Sequence, residues 1–222
     1  MSGGSERRAS GPSASPARKG PFAGVVPSAG ASARMGRPKA LLRVADESFL
    51  ERTVRTLRDG GCDPVFVVVA LRDDDGEREA VAAGARVLVN PNPGEGPITS
   101  LRLALAELDD STAGLAYLPV DHPMVRPDTV TALLAAARSS GAALTLPVYG
   151  SERGHPAVFG RALFAELSDP ALQGGARTVT HRHLHDACLV EVDDAGVLTD
   201  IDTPEIYEAA IRGRPRPGDA RR

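Results

Sequence analysis

Two cations, Arg34 and Lys39, follow a loop of small residues at 28–33, and that loop follows the apolar pair Val25-Val26. A loop of Gly, Ala and Ser lets a bulky anion approach backbone N–H groups, because no large side chain stands in the way. An Arg fork and a Lys point charge can then hold the same anion. The pattern predicts a phosphate-binding loop, although it matches neither the Walker A nor the dinucleotide-binding fingerprint. An ordinary strand-to-helix turn with two solvated cations is the alternative.

Carboxylates occur at two further places where chemistry is expected. Asp121 directly follows an apolar run at 115–120 that reads as a strand, and ligands of open α/β sheets bind at the carboxyl ends of strands. A carboxylate there can face bound phosphates across a hard cation such as Mg²⁺. Asp200 and Asp202 lie just before a helix that begins near Pro204. One of them could cap that helix and the other could be a second metal ligand, and Asp121 could likewise be a simple turn cap.

Histidines occur in two other segments. The stretch 153–156, Arg-Gly-His-Pro, lies between two predicted strands, in a loop suited to holding a second substrate, although a lone loop histidine such as His155 is more often structural. His181, His183 and His185 form an H-x-H-x-H run. Only His181 and His185 would share a helix face, and zinc needs further ligands, so we predict a solvated helix end there.

The elements that must position these residues alternate along the chain. Apolar runs predict strands at 22–27, 65–70, 86–89, 115–120, 143–148, 156–159 and 189–192. Helical spacing predicts helices near 50–57, 77–83, 100–108, 127–137, 161–167, 175–184 and 204–211. Asp193 and Asp194 precede Gly196 and predict a turn. Strands alternating with helices indicate an α/β fold, a three-layer sandwich with a mainly parallel sheet.

Composition limits the class of protein. The chain has 222 residues and a net charge of −3, so nothing indicates a nucleic-acid partner, and no apolar run of ~18 residues predicts a membrane span. Residues 1–20 and 213–222 are rich in Ser, Gly, Pro and Arg and predict disordered tails around one domain at 21–212. The two cysteines, Cys62 and Cys188, are far apart, and without a signal peptide a reducing cytoplasm is the expected compartment.

Five motifs in order resemble one family, the MobA-like nucleotidyltransferases, and within it most closely the molybdenum cofactor cytidylyltransferase branch. The resemblance spans about residues 22–211. The family signature L-A-A-G-x-S-x-R-M-G-x-P-K is similar to P-S-A-G-A-S-A-R-M-G-R-P-K at 27–39. Four shorter motifs also match, namely G-x-x-x-S-L-R at 96–102, D-x-P at 121–123, G-H-P at 154–156 and D-I-D-T-P-E at 200–205.

The resemblance implies a Rossmann-like sheet of the nucleotide-diphospho-sugar transferase type and a role for each matched residue. The implied contacts are Ala29, Gly30, Ser32, Arg34, Lys39 and Ser100 for the nucleotide, Asp121 and Asp202 for Mg²⁺, and Gly154, His155 and Arg177 for the acceptor. Arg34, Lys39 and Asp121 would be the catalytic residues. Ala29 and Pro38 indicate the cytidylyl branch, because the guanylyl branch usually has Gly and a different residue at these positions.

The implied reaction transfers CMP from CTP to a phosphate-bearing acceptor, the molybdenum cofactor, and releases pyrophosphate. Two departures affect this expectation. Pro27-Ser28 replaces Leu-Ala at the start of the loop, and the segment 172–177 lacks the Asp of the family's G-D-x-G-A-R, which leaves the acceptor open. A transferase for a sugar phosphate or another small phosphate is therefore an alternative, and so is a chaperone that holds the cofactor for an apo molybdoenzyme without turnover.

Overall fold

The computed structural model describes residues 20–30 and 38–212. The predicted tails lie outside these ranges except for Gly20, so the prediction of disorder is not tested. Two predicted site residues, Ser32 and Arg34, also lie outside the described residues. No helix in the described ranges is both long enough and apolar enough to cross a membrane.

The fold is organised around one mainly parallel sheet. Its strands are β1 (Phe22–Pro27), β4 (Cys62–Ala70), β5 (Arg86–Asn90), β6 (Gly114–Tyr117), β7 (Leu144–Tyr149), β9 (Ala157–Gly160) and β10 (Cys188–Glu191), in the spatial order β10-β7-β9-β6-β1-β4-β5. Strand β9 runs antiparallel to both of its neighbours, and the short β8 (Glu152–Arg153) pairs antiparallel with β7. A separate small hairpin joins β2 (Arg43–Val44) to β3 (Glu47–Ser48).

Seven helices of the described chain cover the sheet. They are α1 (Phe49–Asp59), α2 (Asp74–Ala82), α3 (Pro97–Ala106), α4 (Pro127–Ser140), α5 (Phe164–Ser168), α6 (Gly175–Arg182) and α7 (Pro204–Ile211). Residues at the first turn of each of four helices explain where these helices begin. Ser48 and Glu51 form a reciprocal capping box on α1, while Pro97, Pro127 and Pro204 occupy first-turn positions where no N–H is needed.

Apolar side chains on both faces of the sheet produce the three layers. On β4, Val65, Val67 and Val69 pack into one buried cluster with α1 and α4, while Phe66 packs into the other with α3. A strand buried on both faces does not alternate between apolar and polar residues, which explains why β4 is a continuous apolar run in the sequence. The predicted three-layer α/β sandwich is confirmed.

The end of β6 differs from the prediction. The strand stops at Tyr117 and not at Val120, because Pro119 has no N–H and the next residues form a turn in which His122 N donates to Pro119 O at 3.0 Å. Asp121 therefore lies four residues beyond the strand, within this turn. Helix α3 also begins at Pro97, three residues before the predicted start at 100.

Candidate functional site

The carboxyl ends of β1, β4 and β6 open into a cavity of about 870 Å³. Because these strands are parallel neighbours, segments distant in sequence meet at one edge of the sheet. Of the predicted site residues, this cavity is lined by Ala29, Gly30, Lys39, Ser100, Asp121 and His155. The expected convergence of loop, lysine and carboxylate is therefore present in the fold, whereas the roles of these residues stay predictions.

A buried amide holds one wall of this cavity in place. Asn90, at the end of β5, donates from Nδ2 to Ser100 Oγ at 3.0 Å and to Thr99 Oγ1 at 2.8 Å, and Asn90 Oδ1 accepts from Asn92 N. Ser100 is only 2 % exposed, yet it borders the cavity. The network fixes the first turn of α3 and, with it, the N–H groups at a helix start that suits an anion.

Lys39 connects two carboxylates that lie far apart in sequence. It begins a short 3-10 turn, Lys39–Leu41, and its Nζ donates to Asp121 Oδ2 at 3.1 Å and also to Asp202 Oδ1. Burial alone would lower the pKa of Lys39, but the hydrogen bonds and negative charges of Asp202 and Asp121 outweigh it and raise that pKa above the ordinary 10.5. Lys39 is therefore a fixed positive charge at the floor of the cavity.

A group of possible metal ligands lies beside this lysine. Asp121, His122 and Asp200 each offer one donor atom, and these atoms all lie within 4.8 Å of one another. Asp202 instead hydrogen-bonds to Lys39, and Ile201 N donates to Asp121 O at 2.9 Å, which holds the two segments together. Two carboxylates and an imidazole are suitable ligands for a divalent cation. The assignment of Asp202 as a metal ligand stays a prediction.

A close backbone contact fixes His155. Gly154 N donates to Pro147 O and His155 N donates to Val197 O at 2.9 Å, and a Cβ added at Gly154 would lie 2.3 Å from that same Val197 oxygen. The His155 ring packs against the ring of His122, with 4.6 Å between the two ring centroids. Burial lowers the pKa of His155, partly opposed by the charge of Asp121 and a hydrogen bond with the backbone of Tyr117, so its ring is neutral near pH 7.

A second cavity of about 760 Å³ adjoins the first. The two share the lining residues Gly96, Pro97, Tyr117, Pro119 and His155. The second cavity contains all three predicted acceptor residues, Gly154, His155 and Arg177, and has an apolar floor that includes Leu146, Phe159 and Leu172. Two substrates bound in adjoining cavities would meet near His155.

Two guanidinium groups face the second cavity. Within residues 20–30 and 38–212, the side chains of Arg153 and Arg177 form no hydrogen bond or ion pair. An arginine without a carboxylate partner at a cavity wall can bind a ligand anion without first breaking a protein contact. The second cavity thus suits a ligand that is apolar in part and carries negative charge.

The histidine run at the end of α6 does not form a metal centre among the described residues. His183 Nε2 lies 2.7 Å from Glu166 Oε2 and His185 Nε2 lies 2.8 Å from Asp186 Oδ2, and neither belongs to a group of three possible metal ligands. His181 is exposed at the rim of the second cavity.

Sequence reasoning passed over His122 as a site residue, and it placed Arg153 in the predicted second-substrate loop at 153–156 without giving it a role of its own. His122 follows Asp121 directly, and its polar side chain within an apolar stretch was the available signal. Arg153 precedes the G-H-P motif, so its position beside a predicted acceptor loop was the corresponding signal. The geometry places His122 beside the carboxylates and Arg153 at the second cavity.

The profile of the MobA-like NTP transferase domain matches residues 24–187. A probable molybdenum cofactor guanylyltransferase of Mycobacterium avium is 29 % identical over 198 residues, which cover 87 % of this chain and 96 % of the relative. The molybdenum cofactor cytidylyltransferase of Escherichia coli is 24 % identical over 193 residues, covering 84 % and 93 % respectively.

Comparison with solved structures identifies similar folds. A crystal structure of Rv0371c from Mycobacterium tuberculosis H37Rv in complex with manganese superposes with a TM-score of 0.73 at 26 % identity, covering 87 % of this chain and 98 % of that one. The sheet is thus of the nucleotide-diphospho-sugar transferase type expected from the sequence. With a domain profile that spans most of the chain and two adjoining cavities at the sheet edge, the protein is a nucleotidyltransferase of the MobA-like NTP transferase family.

Proposed function

We propose that the chain transfers CMP from CTP to a phosphate-bearing acceptor, the molybdenum cofactor, with release of pyrophosphate. The observation that carries the proposal is the junction of the two cavities, with Lys39 and Asp121 on one side and Gly154 and Arg177 on the other. A transferase needs both substrates in contact, and a site that only stores a nucleotide needs one cavity. The relatives named for cytidylyl and guanylyl transfer to this cofactor support the acceptor.

The reaction needs alignment and charge neutralisation and no covalent protein nucleophile. A phosphate oxygen of the acceptor attacks the α-phosphorus of the nucleotide, the bond to the β-phosphate oxygen breaks, and pyrophosphate leaves with that electron pair. Lys39 and Arg34 hold the triphosphate, while the small residues Ala29 and Gly30 leave room for backbone N–H groups to approach it. Gly154 and His155 place the acceptor phosphate beside the α-phosphorus.

The donor set at the floor of the first cavity fits a divalent cation. Asp121 would hold Mg²⁺ or a similar ion, and the manganese in the M. tuberculosis relative supports this. Such an ion neutralises charge on triphosphate oxygens. Asp202 acts on the neighbouring Lys39, whose ammonium it keeps charged and in place.

The proposed preference for CTP over GTP is argued from Ala29. Its side chain is buried and borders the first cavity, so its methyl group narrows the space beside the base. A pyrimidine fits beside that methyl group with less crowding than a purine does.

A matrix of pyrophosphate-release assays tests the proposal. Each of the four NTPs is combined with molybdenum cofactor, with sugar phosphates and with no acceptor. Release that requires both CTP and the molybdenum cofactor is the expected result. Release with a sugar phosphate alone would favour the alternative transferase, and tight cofactor binding without release under any NTP would favour a chaperone for an apo molybdoenzyme.

A further inference from the structure

We propose that the hydroxyl of Tyr117 donates a hydrogen bond to the α-phosphate of the nucleotide, at the point where the two cavities join. Tyr117 is the last residue of β6 and lines both cavities. Sequence reasoning assigned it no role. This contact depends on the proposed function, because that function brings the α-phosphate to the junction, and it adds a further catalytic residue to the reaction.

Tyr117 is almost completely buried, yet its hydroxyl has no partner in the described part of the chain. The residue is 8 % exposed, and within residues 20–30 and 38–212 its hydroxyl forms no hydrogen bond. This hydroxyl is not among the polar atoms that are fully buried without a partner, so it opens to the cavities that the residue lines. Because the hydroxyl of a buried tyrosine usually has a hydrogen-bond partner, its position indicates contact with a ligand.

Tyr117 also supplies the one side-chain donor that faces the junction in the described part of the chain. The residues that line both cavities are Gly96, Pro97, Tyr117, Pro119 and His155. Glycine and proline have no polar side-chain atom. The His155 ring hydrogen-bonds to the backbone of Tyr117, and its Nδ1 is fully buried without a partner among the described residues. Only the Tyr117 hydroxyl is therefore accessible to a substrate from both cavities.

The sheet holds this tyrosine in a fixed position. Tyr117 pairs with Val25 of β1 and with Ala157 of β9, so its backbone lies inside the sheet. Its side chain belongs to a buried apolar cluster, and its ring centroid lies 6.4 Å from that of His155. A donor on a rigid strand needs no rearrangement when substrate binds, which favours stabilisation of charge in the transition state.

The hydroxyl is a neutral donor near pH 7. Burial, and to a smaller extent the negative charge of Asp121, raise the pKa of Tyr117 above its ordinary value. A hydrogen bond to an anionic phosphate oxygen is stronger than one between neutral groups. In the transition state of phosphoryl transfer, negative charge is spread over the non-bridging oxygens. A donor aimed at one of these oxygens therefore raises kcat more than it lowers KM.

Tyr117→Phe removes the hydroxyl and keeps the ring. We expect kcat for pyrophosphate release to fall ~10- to ~10²-fold, while the KM of each substrate changes less than ~2-fold. The urea midpoint should stay unchanged, because no hydrogen bond within the described chain is lost. Tyr149→Phe removes the hydroxyl of an exposed tyrosine outside both cavities and is the matched control, with unchanged kcat.

A phosphorothioate test identifies the α-phosphate as the acceptor of this hydrogen bond. Each diastereomer of CTPαS replaces one non-bridging oxygen of the α-phosphate by sulfur, which is a weaker hydrogen-bond acceptor. For one diastereomer, we expect the slowing relative to CTP to be at least ~5-fold larger in the wild type than in Tyr117→Phe, which has no hydrogen bond left to lose. Slowing that comes from any other contact is present in both proteins and cancels in this comparison.

Three results would overturn the inference. The first is a folded Tyr117→Phe protein with wild-type kcat. The second is a slowing by each diastereomer that is equal in the wild type and the variant. The third is a higher KM for the acceptor with unchanged kcat, because the hydroxyl would then bind the acceptor and not the transferred phosphate.

A binding measurement separates this result from the proposed function. The chain has three tyrosines, so 3-fluorotyrosine gives three ¹⁹F resonances, of which Tyr117→Phe and Tyr149→Phe identify two. The α,β-methylene analogues of the four NTPs cannot release pyrophosphate, and at least one of them should shift the Tyr117 resonance.

A shift of the Tyr117 resonance without pyrophosphate release from any NTP would support the contact and overturn the transferase. Pyrophosphate release by the wild type, without such a shift and with wild-type kcat in Tyr117→Phe, would support the transferase and overturn the contact. Neither release nor shift would overturn both.

Discussion

Lys39 is the residue on which the charge balance of the site depends. Its ammonium lies between the carboxylates of Asp121 and Asp202, which would repel each other if the lysine were absent. The same ammonium points to the cavity that we assign to the triphosphate. We therefore propose two roles for Lys39, one within the protein and one toward the substrate.

We expect Lys39→Ala to lower turnover by about 10²-fold or more, because it removes a positive charge aimed at the reacting phosphates. The measurement is pyrophosphate release at saturating substrates, with folding checked by circular dichroism. Arg78→Ala removes an exposed cation on α2 and should leave turnover unchanged. Near wild-type turnover in folded Lys39→Ala protein would exclude the assigned role.

We expect Ala29→Gly to relax the choice of base from CTP toward GTP. Removing the buried methyl group opens space beside the base, which a purine needs and a pyrimidine does not. The measurement is the ratio of kcat/KM with CTP to kcat/KM with GTP. Gly94→Ala is the control, because no atom lies within 4 Å of the Cβ that it adds. A wild-type preference for GTP would contradict the argument from Ala29.

One buried carboxylate joins secondary-structure elements that border the site. Asp194 is 5 % exposed and accepts hydrogen bonds from Arg126 N, Thr129 Oγ1 and Gly196 N. It therefore caps α4 from a distant loop and also caps the turn 195–198, whose Val197 oxygen holds His155. The predicted turn at 193–194 is present, and Asp194 explains how the backbone of His155, a predicted acceptor residue, is fixed relative to α4.

Asp194→Ala should destabilise the fold by at least ~2 kcal/mol, because it removes a helix cap and leaves three donors, two of them buried, without their acceptor. Urea unfolding measures the change as a lower midpoint with an unchanged m-value. Asp193→Ala changes the exposed neighbour and should cost less than ~0.5 kcal/mol. Equal losses in the two variants would mean that the Asp194 network contributes nothing specific.

A thiol buried in the core makes the stability of the whole molecule depend on alkaline pH. Cys62 lies in the core at the start of β4, and burial raises the pKa of its thiol to about 12, slightly opposed by the charge of Arg138. The unfolded thiol has a pKa of 9.0 and loses its proton first. The unfolded state thus binds fewer protons above pH 9, and stability falls as pH rises through that range.

We expect wild-type protein to lose about 1.4 kcal/mol more free energy of unfolding than Cys62→Ala between pH 8 and pH 10. Urea titrations of both proteins at the two pH values measure this difference. Thiol labelling of the native protein is the control, and the partly exposed Cys188 should react while Cys62 does not. Equal pH dependence in the two proteins would show that the Cys62 thiol is not buried as described.

Periodicity and capping chemistry were sufficient to predict most elements. The helix at 204–211 and the strand at 22–27 match their predicted bounds, because a proline start or an apolar run with a small-residue end marks them locally. The end of β6 and the start of α3 were misplaced. Pro119 has no N–H and begins a turn after the strand, and Pro97 occupies the first turn of α3, so the helix begins three residues before the predicted start.

The sequence by itself determined the alternation of strands and helices, the family and which polar residues could serve a nucleotide, since these follow from local patterns and from motif order. Only the tertiary structure decided which side chains these polar residues contact. Asp200 and Asp202 are separated by one buried residue, yet one joins Asp121 and His122 while the other contacts Lys39. The packing of Ile201 and its bond to Asp121 set that division, and such contacts between distant segments carry no local signal in the chain.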